Sequence, residues 1–174
     1  MVEDKYYSEI KDKLIDVEVT CRVKDYSKNK VMLENYYEIG RLIVEAQGGE
    51  KYAKYGDGLI KKYSKKLMIE IDKKYSDRTL RSIRKFYVMF RGNIWKPLVS
   101  KLNWSHFLIL MSLKNSNEIM YYANRCIKEL LSKRELQKII KSKEYEKLSE
   151  ETKNKLIMEY CSNPSIITRE YVLN

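Results

Sequence analysis

Apolar residues recur at spacings of three and four along almost the whole chain, and strand-like alternation is nearly absent. That pattern predicts an all-α, multi-helix fold, with more than about half of the chain helical against a usual one-third. Ile10, Leu14, Val17 and Cys21 make one stripe and predict a helix over 3–24, with the β-branched run around Val17 and Val19 as its weakest part. Val31, Asn35, Ile39, Leu42 and Ala46, with Met32, Tyr36 and Ile43 beside them, predict a second helix over 28–46. Gln47-Gly48-Gly49 ends it, glycine being the usual residue just past a helix. After a tyrosine-bearing loop over 50–57, Asp57 is placed to cap a third helix over 58–73, striped by Ile60, Tyr63, Leu67 and Ile71. Tyr75-Ser76-Asp77 breaks the chain, and Ser76 or Asp77 caps a fourth helix over 77–91.

The C-terminal half continues in the same way. A connector over 92–102 holds Gly92 and Pro97. A short apolar helix over 103–114 follows, with Trp104, Phe107, Leu108 and Met111 on one face. The helix over 116–131 is capped by Asn115 or Ser116. Ser132 and Glu135 have the spacing of a capping box, which opens a helix to about 143. The last helix, 149–160, is capped by Ser149 and closed by Asn163-Pro164, and 165–174 is a short arm.

The pair 58–73 and 77–91 carries the most informative pattern. On a wheel of 100° per residue, Leu80, Ile83, Tyr87 and Phe90 share the core face of the second helix. Arg78, Arg81 and Lys85 share the opposite face, with Ser82 beside them and Arg84 on a flank. Lys61, Lys62, Lys65 and Lys66 lie off the apolar stripe of the first. A helix-turn-helix reader needs this arrangement: a second helix whose wet, cationic N-terminal face enters the major groove, and a first helix near the backbone. Arginine there can pair bidentately with guanine. The expected contacts are therefore Lys61, Lys62, Lys65 and Lys66 to phosphates, and Arg78, Arg81, Arg84 and Lys85 to groove and backbone. The connection Lys73-Lys74-Tyr75-Ser76 lacks the common turn glycine, and an ordinary helical hairpin with a solvated face is the plain alternative.

Charge sharpens this picture. The chain of 174 residues has 35 Lys/Arg against 24 Asp/Glu, a net charge of +11. Residues 51–101 hold 15 of those cations and 4 of the acids, so this stretch carries the whole imbalance and the remainder is neutral. Segregation of this kind is the footprint of a polyanion-binding surface. Other chemistries are poorly supported. Three dispersed cysteines and one histidine, His106, argue against a disulfide framework and a metal site. No glycine-rich phosphate loop is present, so no cofactor is expected. Ser105 and His106 are sequence neighbours that point about 100° apart on a helix. They have no nearby acid to orient the imidazole, so His106 reads as a structural residue rather than part of a triad. Glu144, Glu146, Glu150 and Glu151 read as exposed charges, so no catalytic set is expected. The tyrosine pairs Tyr6-Tyr7, Tyr36-Tyr37 and Tyr121-Tyr122 place one ring inward and one at the rim more readily than they stack on bases. With no apolar run of about 18 residues and no signal peptide, a cytoplasmic protein without a membrane span is expected.

Asn35-Tyr36-Tyr37-Glu38-Ile39-Gly40-Arg41-Leu42-Ile43 resembles the "N…YW.IG..I" block of the YhcG-type N-terminal domain. Tyr55-Gly56-Asp57-Gly58-Leu59-Ile60 and Tyr63-Ser64-Lys65-Lys66-Leu67 resemble its "YG..LI" and "LS..L" blocks. Tyr75 to Leu80 with Phe86-Tyr87, Leu102 to Phe107, Ser132 to Leu136, and Tyr145 to Leu148 follow in the family's order. The resemblance implies a helical domain of unassigned function, often found near restriction or mobile-element genes and usually preceding a PD-(D/E)xK nuclease domain. Here the sequence stops at Asn174, where the nuclease would begin. A looser similarity to the ParB-type DNA-binding domain, through Leu102 to Leu113 and Leu131 to Glu135, makes helix 77–91 the counterpart of a recognition helix. Trp104 replaces a small residue there, and partition function is not implied.

The expected organisation is an N-terminal helical arm (1–27), a YhcG-like domain with the helix-turn-helix (28–148) and a C-terminal helix and tail (149–174). The expected function is non-enzymatic binding of duplex DNA in a mobile-element or defence context. The alternative is a phage-borne inhibitor, of anti-CRISPR or anti-restriction type, that blocks a nuclease or CRISPR/restriction effector. A homodimer is expected, with the stripe Ile10, Leu14, Val17, Cys21 and the tail residues Ile166, Ile167, Tyr171, Val172 and Leu173 as its apolar surface.

Overall fold

The computed structural model describes residues 2–22, 28–49, 57–91, 98 and 101–162. Among them lie eight helices and no strand: α1 (Val2–Arg22), α2 (Lys28–Ala46), α3 (Asp57–Glu70), α4 (Asp77–Phe90), α5 (Trp104–Leu110), α6 (Ser116–Glu129), α7 (Lys133–Lys141) and α8 (Glu150–Ser162). More than half of the chain is helical. It divides into two compact units, Met1–Met89 and Phe90–Asn174.

In the first unit α1 packs along α2. Ile10, Leu14 and Val17 from α1, Leu33, Ile39 and Ile43 from α2, Ile60, Tyr63 and Leu67 from α3, and Leu80, Ile83 and Phe86 from α4 are buried. Helices α2 and α4 meet closely at Gly40. A Cβ there would lie 2.6 Å from both the Ile83 carbonyl oxygen and the Tyr87 Cβ, so only glycine admits this approach. Tyr37 completes the contact, with its ring edge-on to Phe86 and Tyr87. Helix α2 ends where Gly48 and Gly49 take φ of 80° and 97°, the left-handed region that glycine enters without strain.

In the second unit α5 packs on α6 and α7, and α6 packs on α7. Its buried side chains include Phe90, Phe107, Leu110, Tyr122, Cys126 and Leu136. Local capping sets the helix starts. Asn103 and His106 form one capping box, and Ser132 and Glu135 form another. Asn115 accepts from the backbone N–H groups of Asn117 and Glu118. Ser149 accepts from that of Thr152 at 3.2 Å.

Several sequence expectations change. The stripe Ile10, Leu14, Val17 is fully buried inside the first unit, so it offers no surface for a second copy. Leu108 is 41% exposed and does not share the core face with Phe107 and Met111. Helix α3 stops at Glu70 and α5 at Leu110, each earlier than the apolar pattern runs. Ile71 and Tyr87 are half-buried, whereas Phe86, absent from the expected stripe, is fully buried. In α2 the buried set shifts to Leu33, Tyr36, Ile39, Leu42, Ile43 and Val44, while Val31 and Asn35 are only half-buried. A helix clasped by neighbours on two flanks buries more than one stripe. The tyrosine pairs 36/37 and 121/122 each bury one ring and leave the other at the rim. The side chains of Cys21, Asp57 and Cys161, much of the 92–102 connector, and the tail residues Ile166, Ile167, Tyr171, Val172 and Leu173 lie outside the described residues.

Candidate nucleic-acid interface

Helices α3 and α4 are joined by residues 71–76, and α1 fixes that connection from beneath. Tyr75 is fully buried. Its hydroxyl donates to Glu18 Oε1 at 2.5 Å, and its carbonyl accepts from the Ser64 hydroxyl at 3.2 Å. Glu18 also pairs with Lys74. Burial would raise the Glu18 carboxyl, but the hydrogen bonds from Lys74 and Tyr75 hold it below the usual carboxylate range. A second strut joins Lys11 of α1 to Glu70 at the end of α3, at 2.5 Å. Helix α4 starts with Ser76 accepting from the Thr79 N–H at 3.4 Å. Ser76 is thus the cap and Asp77 the first helical residue.

The eight predicted cations separate into two groups. Lys61 and Lys65 on α3, and Arg78 and Lys85 on α4, are exposed with no charged partner among the described residues. Lys62 is exposed on α3 as well. The others are engaged within the first unit. Lys66 lies over the Tyr7 ring, 4.8 Å from its centroid. Arg81 pairs with Asp77 at 2.9 Å, one turn back along α4. Arg84 donates from Nε to the buried Gln47 at 2.6 Å and ties α4 to the end of α2. Exposed pairs such as Arg81–Asp77 contribute roughly 0–1 kcal/mol, so a phosphate can compete for that arginine.

The acids whose side chains are described in the same region are turned to other uses. Glu70 is held by Lys11 and Asp77 by Arg81, while Asp72 accepts from the Lys74 backbone N–H at 2.7 Å. The structure adds Lys73, exposed in the connection once α3 ends at Glu70. It also adds Glu18 and Lys11, whose role depends on contacts across more than fifty residues and leaves no local signal.

His106 sits away from this surface and has a structural place. Its backbone N–H donates to the Asn103 side chain at 3.2 Å, and its Nδ1 accepts from the Asn103 N–H at 3.3 Å. Burial lowers its pKa, so the ring is held neutral. The Cys126 thiol is buried and pushed up to about 11, chiefly by loss of solvent, which leaves it protonated and unreactive. Among the described residues no group of three or more His, Cys, Asp or Glu side chains could hold a metal ion. No helix there is long and apolar enough to cross a membrane.

A wholly helical domain with a braced, cationic helix pair is the class that fold and surface define. The DUF1016 N-terminal domain model matches residues 17–147, and the chain belongs to that family. It is 31% identical over 173 residues to an Escherichia coli (strain K12) protein named "Putative nuclease YhcG". The match covers 81% of this chain and 46% of the relative, so the chain spans about half the length of the curated protein it resembles. No solved structure matches it.

Proposed function

We propose that this domain binds duplex DNA as a non-enzymatic helix-turn-helix module, with α4 entering a groove and α3 lying along the backbone. The observation that carries this reading is the charge inventory of 58–91, the described side chains of the helix pair. Glu70, Asp72 and Asp77 are engaged by internal partners, and Lys61, Lys65, Arg78 and Lys85 are left exposed without one among the described residues. Burying Leu80, Ile83 and Phe86 fixes which way the α4 cations face. The brace from α1 fixes the connection on which the angle between reader and scaffold depends. The relative's name, a nuclease, accords with a domain that delivers a cutting activity to DNA in a restriction or mobile-element setting.

Fluorescence anisotropy with labelled duplexes tests the reading. Arg78→Ala and Lys85→Ala should retain the wild-type melting temperature. Each should weaken binding by about 1–3 kcal/mol, and a base-contacting one should also blur sequence preference. Lys61→Ala and Lys65→Ala should weaken all sequences alike. Full affinity in the Arg78→Ala/Lys85→Ala double variant would overturn the groove assignment. The same basic face would then be assigned to an acidic surface on a defence effector.

A further inference from the structure

Outside the basic face, two surfaces of this chain complement one another. The first is a groove of about 410 Å³ in the second unit, between α5 and α7. Leu108, Ile109 and Ile140 give it an apolar floor, and Ser112 and Gln137 add polar sides. Lys133 and Lys141 stand at the two ends of α7, both exposed and without a charged partner among the described residues. The second surface is the outer face of α1 in the first unit. Ile10, Leu14 and Val17 occupy its inner face, which leaves Ile15 43% and Val19 57% exposed, one turn apart. Asp12 and Asp16 flank them, exposed and likewise without a cationic partner among the described residues.

We infer that the α5–α7 groove receives the outer face of α1 from a second copy of this chain. Ile15 and Val19 seat on Leu108, Ile109 and Ile140, and Asp12 and Asp16 meet Lys133 and Lys141. The two surfaces are complementary in apolar character and in charge. An apolar pair with acidic flanks faces an apolar floor with lysine ends, and each side lacks an internal partner for its charges. The spacings are compatible. The two aspartates are about 6 Å apart along α1 and the two lysines about 12 Å apart along α7, a gap that flexible lysine stems close. Every copy carries both surfaces, so two copies of the chain suffice to make the contact. Neither surface includes a residue assigned to DNA, so the inference stands or falls apart from that reading.

Sedimentation velocity without DNA, from micromolar to hundreds of micromolar protein, tests it. The expected result is a concentration-dependent rise from 20.9 kDa to twice that mass. Asp12→Lys/Asp16→Lys and Lys133→Asp/Lys141→Asp should each shift the midpoint at least tenfold to higher concentration, with unchanged far-ultraviolet spectra. Combining all four changes in one chain should restore association. Ile15→Asp should abolish it. A monomer at every concentration, association indifferent to these changes, or no recovery in the four-fold variant would overturn the inference.

Discussion

Helices α3 and α4 differ from α6 and α8 in what their charges do. On α6 and α8 the cations Arg125, Lys153 and Lys155 have acid partners: Arg125 pairs with Glu129 one turn on and with Glu144 beyond the helix, Lys153 with Glu150, and Lys155 with Glu151. Such pairs hold fixed surfaces and leave little field for a ligand. Among the described side chains of α3, α4 and their connection, Glu70 is taken by α1, Asp72 by the backbone and Asp77 by the first turn of α4, and several cations face solvent without a charged partner. A count of charges does not separate these regions as clearly as the partner of each charge does. The same criterion picks out α7, whose end lysines are unpaired beside an apolar groove.

Cavity formation beneath the cationic face should have the largest effect. Ile83→Ala removes fully buried volume behind Arg78 and Lys85 and should cost about 2–5 kcal/mol. A fall in melting temperature checks this. DNA affinity per folded molecule should be retained where the variant remains folded, in contrast to the Arg78 and Lys85 variants.

Gly40 gives a smaller and sharper contrast. Gly40→Ala places a methyl against the Ile83 carbonyl and Tyr87, and should cost about 1–3 kcal/mol despite alanine's better helix propensity. Gly58→Ala, on the exposed face of α3, meets nothing within 4 Å and should gain about 0.4–1 kcal/mol. Chemical denaturation of the two variants should show opposite signs.

The α1 brace predicts a pH signature. Glu18 titrates lower in the folded protein than its ordinary value of 4.5. Its contribution is therefore fully present above about pH 4.5 and is lost as pH falls through the lower folded value. Glu18→Gln should cost about 1–2 kcal/mol near neutrality. Thermal melts should show the gap between variant and wild type closing as the solution becomes more acid.

Local chemistry made much of this legible. Asn115, Ser132 with Glu135, Ser149 and Gly48-Gly49 each announced a helix end, because a cap is a contact within a few residues. The amphipathic pattern of α4 gave its orientation for the same reason. What escaped depended on distant neighbours. Phe86 is buried because Tyr37 packs on it, and Leu108 is exposed because α7 leaves a groove beside it. Arg84 is spent on Gln47, 37 residues away. For the cations of α3 and α4, helical periodicity sets the face, and packing decides which are already occupied.

The salt dependence of duplex binding tests the central claim most directly. If Lys61, Lys65, Arg78 and Lys85 neutralise phosphates, log Kobs should fall with log salt at a slope of roughly −3 to −4, about −0.9 per contact. Replacing all four with alanine should flatten that slope by about 0.9 for each contact removed. Lys153→Ala/Lys155→Ala, which removes cations already paired on α8, should leave it unchanged. Equal slopes in the wild type and the four-fold variant, or wild-type binding that does not respond to salt, would contradict the account.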